Sequence, residues 1–307
     1  MNFERLGALY DDLGHVVRRG GFTYPAAFAP QHAEATGLTA ITGEALWVDP
    51  TLRAGGKQHL ERVARRSPGM HDGRVMAYMS AEGFPITCAP GGYFDAIATS
   101  DSLRAEFIER SLRLGPTSVS ALEALPLRQL AHAAAGGDPL RSGRGRVAAV
   151  GVSVALTIPG APVRALVLGL RNDEVATDPG VWHVAPSGTL EPTGRDAVIA
   201  LVELELFEEV GVRLAPPSTL ASRLKTLGIG FDLLRLRPEV CLRLDLQERE
   251  IAPGGPSLST REFRSCSLLE LSEPSLRTFW GLHPPSAITP AAAATIALIE
   301  AESGRPA

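Results

Sequence analysis

VELELFEEVGV, from Val202 to Val212, sets acids among apolar residues at helical spacing and closes on a glycine. On a helix, side chains three and four positions apart share a face, so Glu205 meets both Glu208 and Glu209. Val202, Leu206 and Val210 make the stripe expected to face a core. Like charges held together in this way destabilise a helix, by roughly a few tenths of a kcal/mol per exposed pair and by more where water is excluded. A divalent cation between them would remove the repulsion. The bland alternative is a solvated acidic face on an amphipathic helix.

The chain has 307 residues, enough for one large domain or two modest ones with their own cores, and two are expected. Hydrophobic residues make up 45% and charged residues 21%, the profile of a folded chain rather than a disordered one. A net charge of -4 leaves no footprint for a polyanion, so nucleic acid is not an expected partner. Cys88, Cys241 and Cys266 are widely separated, with no CxxC pair and no His at zinc spacing. They read as reduced core thiols, which favours the cytoplasm. The N-terminal stretch lacks the uninterrupted apolar core of a signal peptide. The most apolar run, 147 to 158, stops at Pro159, too short for a bilayer, so no membrane partner is expected.

Composition breaks at AAAGGDPLRSGRGR, residues 133 to 146, where the boundary is placed between an N-terminal domain (1 to 140) and a C-terminal one (147 to 307). Upstream, GRVMAYM (73 to 79) and FPITCAP (84 to 90) read as strands and SLRAEFIERSL (102 to 112) as a helix, giving a smaller β-rich domain with peripheral helices. Downstream, VAAVGVSVALTI and VRALVLGLR (163 to 171) read as neighbouring strands, followed by the acidic helix. TLGIGFDL (226 to 233), VCLRLDL (240 to 246) and FRSCSLLEL (263 to 271) return to strand patterning, and Thr289-Pro290 opens a final helix. The class is α/β, a mixed sheet with helices on two faces.

These residues resemble the Nudix hydrolase signature: Gly, five residues, Glu, seven residues, Arg-Glu-aliphatic-any-Glu-Glu-any-Gly-aliphatic. Glu205, Leu206, Glu208, Glu209, Gly211 and Val212 fall on its second half without a gap. The first half departs: Leu204 stands at the Arg, Asp196 at the earlier Glu, and Gly188 lies two residues too far upstream, so the loop GTLEPTGRD is longer. The resemblance covers roughly residues 147 to 300 and implies a Nudix α/β/α sandwich. ALWVDP (45 to 50) and GGYFDAIATSDSL (91 to 103), with Tyr93, Phe94, Thr99 and Ser100, more faintly resemble the extension that precedes longer Nudix proteins, including hydrolases of UDP-sugars.

The resemblance implies metal-dependent cleavage of the diphosphate in a nucleoside diphosphate linked to another group, such as ADP-ribose, an NAD-like molecule or a nucleotide sugar. Mg2+ is the implied cofactor, with Mn2+ able to replace it, because such ions prefer carboxylate and phosphate oxygens. Glu205, Glu208 and Glu209 are the implied ligands, with the carbonyl of Gly188. The base is Glu205 or, on a later loop, Glu262. Arg171, after a strand, suits a phosphate by its forked donors. Trp182 and His183 suit a base or sugar, with packing as the competing role for Trp182. Two other readings stay open: a catalytically silent nucleotide-binding module, which the Leu204 and Gly188 departures would permit, and the isopentenyl diphosphate isomerase branch of the fold. The N-terminal domain is expected to cap the site, select the substrate or build a homodimer interface.

Overall fold

The computed structural model describes residues 3–28, 39–41, 46–67, 69–80, 86–114, 122–160, 162–175, 178–193, 196–214, 218–253 and 255–303. Its strands are β1 (His15–Arg19), β2 (Phe22–Phe28), β3 (Thr39–Ile41), β4 (Arg74–Ser80), β5 (Ile86–Gly92), β6 (Gly151–Ile158), β7 (Ala165–Arg171), β8 (Trp182–Val184), β9 (Ser187–Thr189), β10 (Lys225–Asp232), β11 (Arg237–Asp245) and β12 (Phe263–Glu270). Its α-helices are α1 (Phe3–Ala8), α2 (Pro50–Arg66), α3 (Tyr93–Ala96), α4 (Ser102–Leu114), α5 (Pro126–Ala134), α6 (Ala197–Val210), α7 (Ser218–Arg223), α8 (Glu273–Leu282) and α9 (Pro290–Ser303). Residues 84 and 85 of one expected strand, 161 of the β6–β7 turn and 194 and 195 of the long loop lie outside the described residues.

Among the described residues nine strands form one sheet in the order β1-β2-β10-β11-β6-β7-β12, with β8 on β7 and β9 on β6. It is mixed, since β11 and β6 run parallel and their other neighbours antiparallel. β6 meets β7 only at Thr157–Leu166 and Ile158–Ala165; its opposite end, Gly151 to Ser153, pairs with β9 instead. The two strands therefore diverge, and α6 follows the short strand that fills the fork. Alternate side chains of β6 serve two cores, as strand periodicity requires: Val152, Val154 and Leu156 face one, Ala155 the other. Val198, Val202 and Leu206 of α6 join the first core, and Phe279, Trp280 and the alanines of α9 the second. This is the expected α/β/α sandwich.

Strands β3, β5 and β4 make a separate sheet. β1 and β2, by contrast, extend the large sheet, β2 pairing with β10 at Phe28–Gly230 and Ala26–Asp232. This pairing crosses the boundary placed at 133 to 146. The first core likewise joins Leu6, Tyr10, Leu52 and Phe107 to Val152 and Leu206. The N-terminal half also holds more helix than its patterning suggests. α2 has 17 residues and is capped by Asp49, whose side chain accepts from the Thr51 and Leu52 amides. Gly55 and Gly56 hide it in the sequence, and Gly56 is there because a Cβ would come within 1.7 Å of the Ala98 carbonyl oxygen. Cys88 and Cys241 are buried, but Cys266 is exposed, a correction to the core-thiol reading. It sits on β12, a sheet edge with most of its side chains in solvent. Among the described residues no helix is long and apolar enough to cross a membrane.

Candidate active site

Asp196, at the place of the signature's earlier Glu, caps α6, its Oδ1 accepting from the amides of Val198 at 3.1 Å and Ile199 at 3.2 Å. Gly211 ends the helix with φ of 72°, and the Gly211 and Val212 amides donate back to Phe207 and Leu206. A residue with a Cβ is disfavoured at that angle. With Val202, Leu206 and Val210 buried, the rotation of the helix is set. Glu209 lies ~40° around the axis from Glu205, and Glu208 ~60° to the other side.

Glu205 lines a cavity of 240 Å³ together with Arg171, His183, Gly188, Glu239 and Glu262. A Cβ at residue 188 would stand 2.8 Å from Glu205 Oε1 and 3.0 Å from Leu201, so glycine lets β9 approach the carboxylate without displacing either side chain. Glu209 is 2% exposed and accepts from the Ser187 amide at 3.0 Å. Its own carbonyl accepts from the Ser259 amide at 2.7 Å, and the Asn172 amide donates to the Glu262 carbonyl at 2.7 Å. The loop bearing Glu262 is thus tied to the end of α6 and the end of β7. Arg171 Nη1 stands 3.9 Å from Glu262 Oε2.

The acids press on one another. Burial, then the charges of Glu262, Glu208 and Glu191, push Glu205 up to about 7. Burial, then Glu262 and Glu205, hold Glu209 well above the usual carboxylate range. All-oxygen donors with surplus negative charge suit a hard divalent cation. Among the described residues, however, no three His, Cys, Asp or Glu side chains converge as they would around one ion. Glu208 is exposed and is not among the cavity walls, because its turn of the helix carries it outward. Leu204, at the signature's Arg position, is 50% exposed.

His183 forms part of the wall but is 7% exposed, its Nδ1 2.7 Å from Thr289 Oγ1. Burial, then Arg171, drives its pKa down to about 3, so the ring is neutral. Trp182 is not among the walls: its amide donates to the Ala287 carbonyl at 2.8 Å and its ring meets His283 edge-on at 6.1 Å. It packs β8 against the segment before α9. Thr99 and Ser100 are braces, Thr99 Oγ1 accepting from the Val147 amide at 2.9 Å and Ser100 Oγ donating to the Val147 carbonyl at 3.1 Å.

The sequence reading missed the far wall. Arg235 reaches Asp232 at 2.7 Å, Asp101 at 3.0 Å and Asp178 at 3.2 Å, and Arg104 reaches Asp178 at 2.6 Å. Burial alone would raise Asp178, but Arg235 and Arg104 outweigh it and hold the carboxyl below its usual range. Only the Asp232–Arg235 spacing hinted at this. Asp101 and Arg104 come from the N-terminal half, which therefore buttresses the cavity. Arg237 adds a further guanidinium to its lining.

Glu239, 5% exposed, accepts from the Ser153 hydroxyl, and a Cβ on Gly151 would strike its carboxylate at 1.9 Å. Burial, only partly offset by Arg237 and Ser153, raises it from the ordinary 4.5 to about 7. The folded chain keeps a proton that the unfolded chain has lost. Its stabilising share is full below pH 4.5 and is lost as pH rises to about 7. Glu239→Gln is expected to raise stability at pH 8, by at most ~3 kcal/mol, and to leave it unchanged at pH 4.5. Denaturant unfolding at the two pH values checks this; an equal effect at both would contradict it.

The signature on α6 and the mixed sheet between two helical layers have the architecture that the resemblance to Nudix hydrolases implies. No protein-family model matches the sequence, and no curated protein matches it. Similar solved structures are mostly Nudix or MutT proteins. The NUDIX domain of Shewanella oneidensis NrtR complexed with ADP ribose matches 50% of this chain and 88% of its own, at a TM-score of 0.36 and 12% identity. The MutT protein from Methanosarcina mazei Go1 matches 51% and 96%, at 0.35 and 16%. A bifunctional NMN adenylyltransferase/ADP ribose pyrophosphatase from Francisella tularensis, complexed with AMP and a Mn ion, matches 51% of this chain at 0.35 and 14%. The match spans only 42% of that protein.

Proposed function

We propose that the chain is a metal-dependent hydrolase of a nucleoside diphosphate linked to a second group, releasing two monophosphates. The observation that carries this is the placement of Glu205 and Glu262 at one cavity, with Glu209 one turn along α6 accepting from the amide of the wall residue Ser187, under mutual repulsion that a cation would relieve. Glu205 and Glu209 would hold Mg2+ or Mn2+, with the Gly188 carbonyl beside them and substrate oxygens completing the shell. When bound, the ion neutralises phosphate charge and acidifies the attacking water. Glu262, on its anchored loop, accepts the proton of that water, with Glu205 as the alternative base. Arg171 and Arg237 orient the phosphates from the same cavity. Neutral His183, held by Thr289, shapes the wall rather than carrying charge.

The departure at Leu204 and the exposure of Glu208 favour the second reading, a nucleotide-binding module without turnover. Incubating the protein with nucleotide sugars, dinucleotides and nucleoside triphosphates, with Mg2+ or Mn2+ and then with chelator, separates the two. Hydrolysis is expected to yield two monophosphates, to vanish with chelator and to return with excess metal. Binding without products across the panel would establish the silent module instead.

A further inference from the structure

A second cavity, of 310 Å³, adjoins the acidic one and is lined by Met70, His71, Arg74, Tyr93, Thr189 and Glu191. Thr189 lines both cavities, directly after Gly188. The second cavity belongs mainly to the N-terminal half: Arg74 begins β4, and Tyr93 begins α3 where β5 ends. Tyr93 is placed by the backbone, its amide donating to the Gly73 carbonyl at 2.8 Å while the Phe94 amide donates to Asp72 Oδ1 at 2.8 Å. The pairing of Arg74 with Gly92 fixes the same corner.

The walls divide by chemistry. Tyr93, Met70 and the buried Val75 offer an aromatic face, a polarisable thioether and an apolar floor. His71, Arg74 and Glu191, all exposed, ring the rim with donors and acceptors. A flat heteroaromatic ring with polar edges fits that combination. A sugar, with hydroxyls on every side, would leave the floor unused.

We infer that this second cavity is a nucleobase subsite, in which the base stacks on Tyr93 while its phosphates pass Thr189 into the acidic cavity. The proposal rests on the hydrolase reading for the position of the phosphates, and it assigns base selection to the N-terminal half.

The test needs no turnover. The full chain, in excess chelator, is titrated calorimetrically with the four ribonucleoside 5′-monophosphates and with ribose 5-phosphate. At least one nucleotide is expected to bind about 10-fold or more tightly than ribose 5-phosphate, since stacking on an aromatic ring contributes on that scale. Tyr93→Ala should erase the preference and Tyr93→Phe keep it. Met70→Glu, which sets a charge against the base without touching the end of β5, should erase it too should Tyr93→Ala fail to fold. Equal affinity for nucleotides and ribose 5-phosphate, or a preference that survives in a folded Tyr93→Ala or Met70→Glu chain, overturns the subsite. A chain with the Tyr93-dependent preference but no hydrolysis retracts the proposed reaction alone; one that hydrolyses without base preference retracts the subsite alone.

Discussion

Glu205→Gln and Glu209→Gln are each expected to lower turnover about 100-fold or more, the scale of losing a metal ligand or general base. Gln matches Glu in size, so neither change opens a void. In Glu209→Gln the new side-chain carbonyl still accepts from the Ser187 amide that Glu209 meets at 3.0 Å. What each variant removes is one negative charge from a crowded, partly dry cluster. Glu209 is 2% exposed, so neutralising it relieves both desolvation and the repulsion from Glu205 and Glu262. The variants are therefore expected to melt at the parent temperature or above it while losing activity. Steady-state kinetics with saturating Mg2+, set beside thermal unfolding, tests both halves. Parent-like turnover in the two variants would take these carboxylates out of the chemistry.

Arg128→Leu is expected to destabilise the chain by ~3 kcal/mol, lowering Tm by about 5 °C for a protein of this length. Arg128 is fully buried, and its guanidinium donates to Tyr10 Oη at 2.6 Å, the Leu233 carbonyl at 2.7 Å and the Leu234 carbonyl at 2.8 Å. Removing it relieves a buried charge but strands the Leu233 and Leu234 carbonyls and leaves the Tyr10 hydroxyl with His132 Nε2 at 3.1 Å, and unsatisfied buried groups cost ~1–3 kcal/mol each. The losses exceed the gain. Those carbonyls belong to the turn between β10 and β11, which also presents Asp232, Arg235 and Arg237 to the cavity. Arg146, equally buried, braces the same turn from the Leu236 carbonyl at 3.5 Å. KM is therefore expected to rise in Arg128→Leu even at temperatures where the chain is folded. A melting curve and a KM both like the parent's would show that the turn holds without Arg128.

How far each feature was legible follows from how local its causes are. Glu205, Leu206, Glu208, Glu209 and Gly211 could be placed on one helix from spacing and a terminating glycine, because periodicity and the left-handed cap act over a few residues. The strands β6, β7, β10, β11 and β12 were legible for the same reason, as runs of β-branched and apolar residues. Helix α2 was not, since Gly55 and Gly56 are poor helix formers whose place is explained only by the close approach of the Ala98 carbonyl. Arg128 and Arg146 are not singled out by the sequence, because nothing in their neighbourhood along the chain announces the carbonyls they meet.

The amino-acid order thus determined the α6 signature, its rotation toward a core through Val202, Leu206 and Val210, and the mixed α/β layering. Tertiary structure decided which acids share a cavity, setting Glu205 in its wall beside Glu262, burying Glu209 against the Ser187 amide and leaving Glu208 exposed. It also decided that Trp182 packs instead of facing the cavity, and that Asp101, Arg104, Asp178, Asp232 and Arg235 meet across separate segments. The physical reason is range: helical and strand propensities are settled between neighbours, whereas burial and charge pairing are settled by whatever the folded chain brings alongside.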